Sequence, residues 1–240
     1  TNLALGYSAD AVTGATAAVY AVDAVSTATS FSDLRHEGSL GLGFTGRRAR
    51  LGLSGSVGVE RDYLSLAAAG NAAIDLPGKN TNLAISYSHA RDQACDKANA
   101  ELQPLERRAL TGADPCAKDY GVFGKDTLDA TMLVTTTWRD LTIDTAQATV
   151  TQNLSPTMVL QASLFGQVLE GFQSNPSRRV RVGPNEPQEH IPDTRARIAL
   201  SVRLNRWLPK LHAAVHVSGR AYSDSWGVNS GTVELAYSQY

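Results

Sequence analysis

The stretch that decides the fold is RARIALSVRLNRWLPKLHAAVHVSGRAYSDSW, from Arg195 to Trp226, in which aliphatic side chains alternate with basic and small ones. As an α-helix this stretch would spread its charges around the whole circumference and leave no apolar stripe. As two strands joined by a turn at Trp207-Leu208-Pro209 it separates cleanly, because successive side chains of a strand point to opposite faces. The alternation therefore predicts a β-hairpin with one apolar and one polar face.

The two faces of this hairpin differ in chemistry. The apolar face includes the aliphatic residues Ile198, Leu200, Val202, Val215 and Val217. The opposite face carries six basic or titratable side chains, Arg195, Arg197, Arg203, His212, His216 and Arg220. The hairpin is therefore expected to separate an apolar environment from a polar one.

The same two-residue period recurs along most of the chain. It is found in GSLGLGF (38–44), RLGLSGSVGVE (50–60), NLAISYSHA (82–90), MVLQASLFGQVL (158–169) and GTVELAYSQ (231–239). We count about ten strands of roughly 9 to 14 residues, joined alternately by tight turns and by long polar loops, which is the pattern of a transmembrane barrel.

Composition narrows the choice of fold class. The chain of 240 residues has only 5 Phe, 2 Met and 3 Trp but 20 Gly, whereas a soluble β-sandwich of this size needs more bulk in its core. The formal net charge of -1 argues against a general nucleic-acid binder. No apolar run approaches the roughly 20 residues of a membrane-spanning helix.

The lengths of the connections distinguish a membrane barrel from a soluble, lipocalin-like barrel, in which the apolar face points inward. Short turns alternate with long loops at about 92–125 and 170–193, as periplasmic turns alternate with extracellular loops. We therefore predict an all-β protein, an antiparallel transmembrane β-barrel with about 10–12 visible strands that forms one outer-membrane domain over residues 1–240.

One region conflicts with this scheme. If 127–137 and 141–153 were both spanning strands, the turn at Ser155-Pro156 would fall on the extracellular side and the loop at 170–193 on the periplasmic side. Either 120–138 forms a hairpin or excursion outside the membrane, or residues are missing from the chain. The first alternative is the one we expect.

The two ends of the chain suggest processing. It opens with TNLALGY, without an initiator Met or a basic leader, so we expect that a signal peptide has been removed. At the other end Tyr240 is out of phase with the apolar residues Val233, Leu235 and Tyr237. Closure of the barrel is therefore expected to need further residues or another chain.

Two cysteines, Cys95 and Cys116, flank a segment rich in Asp, Lys and Pro. An even number of cysteines in a polar loop fits an oxidising compartment. Two free thiols are the alternative, and we expect a disulfide that pins the loop at about 92–125.

Several motifs resemble a known family. These are GYSADAVTGATAAVYAVDAVSTATSFSDLRHE (6–37), DYLSL (62–66), KNTNLAISYS (79–88), TQNLSPTMVLQASL (151–164), PDTRARIALSVRLNRWLP (192–209) and the closing YSDSWGVNSGTVELAYSQY (222–240). In order and spacing they resemble the DUF3570 type, a bacterial family of outer-membrane β-barrels of unknown function. The resemblance spans most of the chain outside 95–140 and implies a location and a fold but no reaction or ligand.

The sequence gives only weak support for catalytic or metal-binding groups. His212 and His216 would share a zinc ion on a helix, but on a strand they lie about 13 Å apart. His216 and Ser218 share a face without an assignable third partner. The acids Asp10, Asp23 and Asp33 accompany Arg35 in an opening segment that resembles a loop and favours turns or charge pairing. We expect no enzyme activity, no metal and no cofactor.

The basic face is the feature that points to a function. Arginines in a narrow lumen would attract anionic solutes or polymers, which predicts a channel or export conduit in the outer membrane. The alternative is a structural barrel with a blocked lumen, whose arginines pair with lumen acids such as Glu234 or with a plug, and which anchors a periplasmic or surface partner. The expected partners are the lipid bilayer and such a protein, but no nucleic acid.

Overall fold

The computed structural model describes residues 1–17, 28–60, 63–96, 127–129, 134–174 and 191–239. These residues form ten long strands, one short strand and a single 3-10 turn at Pro209–Leu211. The strands are β1 (Asn2–Ala17), β2 (Ala28–Thr45), β3 (Ala49–Val59), β4 (Tyr63–Asp75), β5 (Thr81–Asp96), β6 (Thr127–Asp129), β7 (Val134–Ser155), β8 (Met158–Gly171), β9 (Thr194–Leu208), β10 (Ala213–Asp224) and β11 (Asn229–Gln239).

All pairs in the sheet are antiparallel, and every long strand pairs with its neighbours along the chain, in the order β1-β2-β3-β4-β5-β7-β8-β9-β10-β11. β1 and β11 form the two edges of this meander within the described residues. The prediction of an all-β, antiparallel fold with about ten strands is confirmed. Among the described residues, no helix has the length and apolarity needed to cross a membrane.

The short strand β6 resolves the conflict over residues 120–138. Its residues Thr127–Asp129 pair only with the beginning of β7, and β7 then continues without interruption to Ser155. β6 therefore adds no further strand to the path of the sheet, which fits a hairpin in this region, whereas its position relative to a membrane stays a prediction. The turn after Ser155 lies at the same end of the sheet as the short turns after β2, β4 and β9.

Two predicted loop boundaries are corrected. β5 extends to Asp96 and β8 to Gly171, so the long loops begin after these residues rather than at 92 and 170. Cys95 therefore lies on β5, completely buried beside Trp138, and not in the loop. Cys116 lies outside the described residues, so the disulfide stays a prediction.

The pairing register aligns the predicted faces across the sheet. Leu160 of β8 pairs with Leu204 of β9, Leu204 with Val217 of β10, and Val217 with Leu235 of β11. Paired residues point to the same side of a sheet. The apolar face is the side that carries these four residues, and the polar face is the opposite side.

The apolar face is not covered by other parts of the described chain. Ile198, Leu200, Val202 and Val217 are 40 to 54% exposed, and Val215 is half-buried. Within the described residues, this sheet has no packed core on its apolar side.

Burial is concentrated instead at the end of the sheet where the long loops emerge, which we call the loop end. Four consecutive residues of β5, Asp92, Gln93, Ala94 and Cys95, are at most 4% exposed although they alternate between the two faces. Nearby strand ends contribute further buried apolar side chains, namely Trp138, Leu141, Leu169 and Phe172. The loop end is therefore a packed protein layer.

Candidate functional site

The basic side chains predicted from the sequence gather on the polar face between β8 and β11. Arg203 stands opposite Ser218, which stands opposite Glu234. Arg220 lies one pair further toward the loop end, between Ser201 and Thr232. Arg197, Arg195 and His216 occupy the same face. The structure therefore brings five of the six predicted residues together.

His212 is the exception. It follows the 3-10 turn and has φ 47° and ψ 46°, in the left-handed region, whereas β10 begins at Ala213. The predicted strand began too early because Pro209 and the two residues after it form a helical turn. His212 lies exposed at the short-turn end of the sheet, away from the arginines. Among the described residues, no three or more His, Cys, Asp or Glu side chains are grouped to hold a metal ion.

The positive charge of Arg195 is balanced by an acid within the sheet. Its guanidinium forms an ion pair with the fully buried Asp224 side chain, with Nε donating to Oδ2 at 3.0 Å. The same guanidinium stacks over the Trp226 ring, 4.2 Å from its centroid. Arg195 therefore connects β9 to β10 at the loop end, and its charge is not free to attract a solute.

Asp224 is the centre of this arrangement. Its carboxylate accepts hydrogen bonds from the backbone amides of Trp226 at 3.0 Å and Val228 at 2.9 Å and from the Tyr222 hydroxyl at 2.9 Å. Burial alone would raise the pKa of Asp224, but the hydrogen bonds from Arg195, Val228 and Tyr222 stabilise the charged form and lower the pKa to about 2.

We predict that Asp224 makes the stability of this end of β9 and β10 sensitive to acid. Because its pKa is lowered from 3.8, its contribution to stability is present above that value and is lost as the pH falls toward about 2. The Asp224→Asn variant should therefore be less stable at neutral pH and lose less stability between pH 4 and pH 2 than the wild type. Tryptophan fluorescence during acid titration measures this, with the exposed Asp193→Asn as control. Parallel acid curves for wild type and Asp224→Asn would contradict the assignment.

Arg197 belongs to a second polar ladder on this face. Its NH1 donates to Gln167 Oε1 at 2.9 Å, and Gln167 Nε2 donates to Thr145 Oγ1 at 3.0 Å. These bonds connect β9, β8 and β7. The Nε of Arg197 is buried and has no hydrogen-bond partner among the described residues.

Arg203 and Arg220 differ from the other two arginines because they are exposed and form no ion pair among the described residues. The Arg220 guanidinium lies 5.9 Å from the Tyr222 ring centroid. The acid nearest in register, Glu234, accepts a hydrogen bond at 3.4 Å from Ser218. Of the four arginines predicted from the sequence, these two are the ones whose charge a solute beside the polar face would meet.

A cluster that the sequence analysis missed lies on the polar face at the loop end of β4 and β5. The buried Asp92 accepts hydrogen bonds from the Tyr63 hydroxyl and, at 2.7 Å, from Ser65 Oγ. Burial, reinforced by the neighbouring Asp92, raises the pKa of Tyr63 and keeps its hydroxyl protonated. The predicted loop began at about residue 92, so Asp92 was not assigned to a strand and its two partners could not be identified.

A second missed cluster lies on the opposite side, where the apolar face becomes polar at the loop end of β5 and β7. His89 Nδ1 lies 2.9 Å from Asp144 Oδ1, and Arg91 NH2 donates to Asp140 Oδ2 at 3.3 Å. The Tyr87 hydroxyl also donates to Asp144. We call Tyr87, His89, Arg91, Asp140 and Asp144 the interface ladder.

Comparisons with known proteins identify the family of this chain. One similar solved structure is CdiB from Acinetobacter baumannii, with a TM-score of 0.47 and 11% sequence identity over 96% of this chain and 40% of that chain. The chain thus spans less than half the length of that protein. Comparison with curated proteins gives no match. Residues 2–240 match the family model described as "Protein of unknown function (DUF3570)". The chain belongs to the DUF3570 family.

Proposed function

We propose that this chain forms the wall of a β-barrel in the bacterial outer membrane and that its polar face lines an aqueous conduit for anionic solutes or polymers. One observation carries the proposal: ten antiparallel strands in register present an exposed apolar face on one side and arginines, hydroxyls and glycines on the other. In water an exposed apolar face of this size would promote aggregation, whereas in a bilayer it is the surface that contacts lipid.

Hydrogen bonding supports a closed form of the sheet. In hydrocarbon every backbone N–H and C=O needs a partner, and only a closed barrel provides one for every strand of a sheet. In the proposed barrel the edges of β1 and β11 are joined directly or through further strands. The short turns then face the periplasm and the loop end faces the outside.

The arginines support an anion preference. Arg203 and Arg220 project from adjacent strands, and a narrow passage with low-dielectric walls strengthens the attraction of fixed charges for counter-ions. Glu234 offsets part of this charge, whereas Arg195 contributes little because Asp224 neutralises it. The proposal assigns no catalytic step to the chain.

Planar-bilayer recording tests the proposal. We predict that the double variant Arg203→Gln/Arg220→Gln conducts with a reduced anion preference, measured as a shift of the reversal potential in a salt gradient. The shift should shrink at high salt, because the Debye length falls from about 10 Å at 0.1 M to about 3 Å at 1 M. Arg206→Gln is the matched control, since Arg206 lies on β9 but on the apolar face. An unchanged reversal potential in the double variant would remove the selectivity argument.

A barrel with a blocked lumen that anchors a periplasmic or surface protein is the second candidate. It is favoured by Leu141, Leu169 and Ala199, which lie on the polar face toward the loop end and are 3 to 8% exposed. Apolar side chains buried there indicate local packing rather than contact with water. A reconstituted wild-type protein that inserts fully but gives no conductance steps would favour this candidate over the conduit.

A further inference from the structure

The two ends of the sheet differ in how their positive charges are paired. At the loop end, cations lie beside acids, in the pairs Arg35–Glu37, His89–Asp144, Arg91–Asp140 and Arg195–Asp224. At the short-turn end, five exposed cations form no ion pair among the described residues, namely Arg47, Arg48, Lys79, Arg206 and Lys210. We call these five residues the cationic rim.

Little negative charge accompanies the cationic rim. Among the described residues of the short turns and of the strand ends beside them, Asp75 is the only acid. Its carboxylate already lies 3.9 Å from the Arg50 guanidinium and accepts a hydrogen bond from Asn82 Nδ2 at 2.6 Å. The short-turn end is therefore a surface of net positive charge, which attracts anions.

Arg206 places one of these charges on the apolar face. In the register it stands between Met158 of β8 and Val215 of β10, neither of which carries a charge. It follows Leu200, near the centre of β9, at a distance of about 20 Å along the strand. In a barrel whose strands tilt by about 35–45°, this is roughly 15 Å from the midplane, whereas an apolar band about 25 Å tall ends about 12 Å from it. Arg206 is therefore expected at the level of the lipid headgroups.

Two neighbours support this level. Tyr237 of β11 pairs with Val215, so it lies in the same row of the apolar face as Arg206, and it is 55% exposed. Aromatic side chains form girdles at both interfaces of outer-membrane barrels. Lys210 lies in the 3-10 turn that connects β9 to β10, and it extends the positive charge from Arg206 to the end of the sheet.

We infer that the cationic rim binds the headgroups of anionic phospholipids of the phosphatidylglycerol type, with Arg206 and Lys210 as its principal contact. Arginine and lysine donate charge-assisted hydrogen bonds to phosphate oxygens. In the proposed barrel the short turns face the periplasm, and the periplasmic leaflet of an outer membrane is its phospholipid leaflet. This inference rests on the proposed membrane location but not on conduction.

The pairing of charges decides between headgroups. A zwitterionic headgroup brings an ammonium as well as a phosphate, and the described residues of the short-turn end offer that ammonium no acid except Asp75, which is already paired. An anionic headgroup brings only the charge that the cationic rim lacks. An acidic periplasmic protein is a less suitable occupant at Arg206, because the apolar face that carries this residue is covered by lipid in the proposed barrel.

The lipids that the protein retains test the inference. The full chain is reconstituted in vesicles of equal phosphatidylglycerol and phosphatidylethanolamine, extracted in mild detergent and weighed by native mass spectrometry. The wild type should retain more phosphatidylglycerol than phosphatidylethanolamine. Arg206→Gln/Lys210→Gln should lower the ratio of the two retained lipids about fivefold or more, because each cation near an anionic lipid surface strengthens binding about fivefold.

Arg203→Gln/Arg220→Gln is the matched control. It also removes two positive charges from this part of the sheet, but from the polar faces of β9 and β10. Its ratio of retained lipids should equal that of the wild type, although its anion preference in planar bilayers is expected to fall. The wild-type excess of phosphatidylglycerol should also shrink when the salt is raised from about 0.1 M to about 1 M, because exposed charges are screened.

Three results would overturn the inference: equal retention of the two lipids by the wild type, an unchanged ratio in Arg206→Gln/Lys210→Gln, or the same fall of the ratio in both double variants. Each of these leaves the membrane location intact, provided that alkaline carbonate does not extract the wild type from the vesicles. A wild type that alkaline carbonate strips from the vesicles would instead contradict the membrane location itself, and the inference with it.

Discussion

Replacing Leu200 with arginine is expected to lower the free energy of unfolding by roughly 2–4 kcal/mol, the cost of placing a cation at the middle of the bilayer on the lipid side of a barrel. Leu200 lies near the centre of β9 and is 50% exposed on the apolar face, where its strand neighbours Leu164 and Ala221 offer no counter-charge. Guanidinium unfolding of the protein refolded into vesicles measures the change.

The matched control is Ser163→Arg. Ser163 lies at the same depth, because it stands on β8 next to Leu164, but it points to the polar face between Thr149 and Ser201. We expect a much smaller cost there, because the new guanidinium reaches water or hydroxyl groups. Equal costs at the two positions would mean that the faces meet the same environment, and the membrane barrel would have to be abandoned.

The second large effect is expected at Gly171, where β8 ends. Its φ is +114°, and a Cβ at this position would collide with the backbone oxygen of Asp140. Gly171 N–H also donates to Asp193 O at 2.8 Å, and Phe172 N–H donates to Asp140 O at 2.9 Å. The clash is with the backbone itself, so Gly171→Ala should destabilise the fold by about 1–3 kcal/mol, the usual cost of an imposed backbone strain.

Gly166→Ala is the comparison for this variant. It is on the same strand, has nothing within 4 Å of a new Cβ and should be neutral or stabilising by up to about 1 kcal/mol, because alanine loses less backbone entropy in a strand than glycine. Chemical unfolding of both variants provides the test. If the two variants had the same free energy of unfolding, the close approach of β8 to β7 at the loop end would be contradicted.

The fold was largely predictable because alternation is a local signal. Every second residue of Arg195–Asn205 is aliphatic, so the strand and its two faces follow from the sequence without any knowledge of its partner. The opening segment lacks this signal: its alternating positions are mostly small residues, and its charges suggested a loop. The structure places Asp10 on β1 directly opposite Arg35 on β2, a pairing that becomes visible only when two strands are aligned. Asp23 lies outside the described residues.

The candidate site was predictable only in part, because the partner of each side chain depends on the pairing register of the strands. The sequence placed Arg195 on the polar face, but its partner Asp224, the last residue of β10, was not identifiable from alternation. The interface ladder joins residues of β5 to residues of β7, about 50 positions later in the chain. The long loop between these strands conceals their alignment, although Asp140 and Asp144 share the phase of one face.

The described strands do not all end at the same level at the loop end of the sheet. β2 continues beyond its last pair with β3, at His36 and Val59, and remains paired with β1 as far as Ala28. β7 likewise begins at Val134, before its first pair with β5. Among the described residues, the strands of the hairpin formed by β3 and β4 end earlier, at Val59 and Tyr63. Within the described residues, the loop end is therefore an uneven edge whose lowest point is the hairpin of β3 and β4.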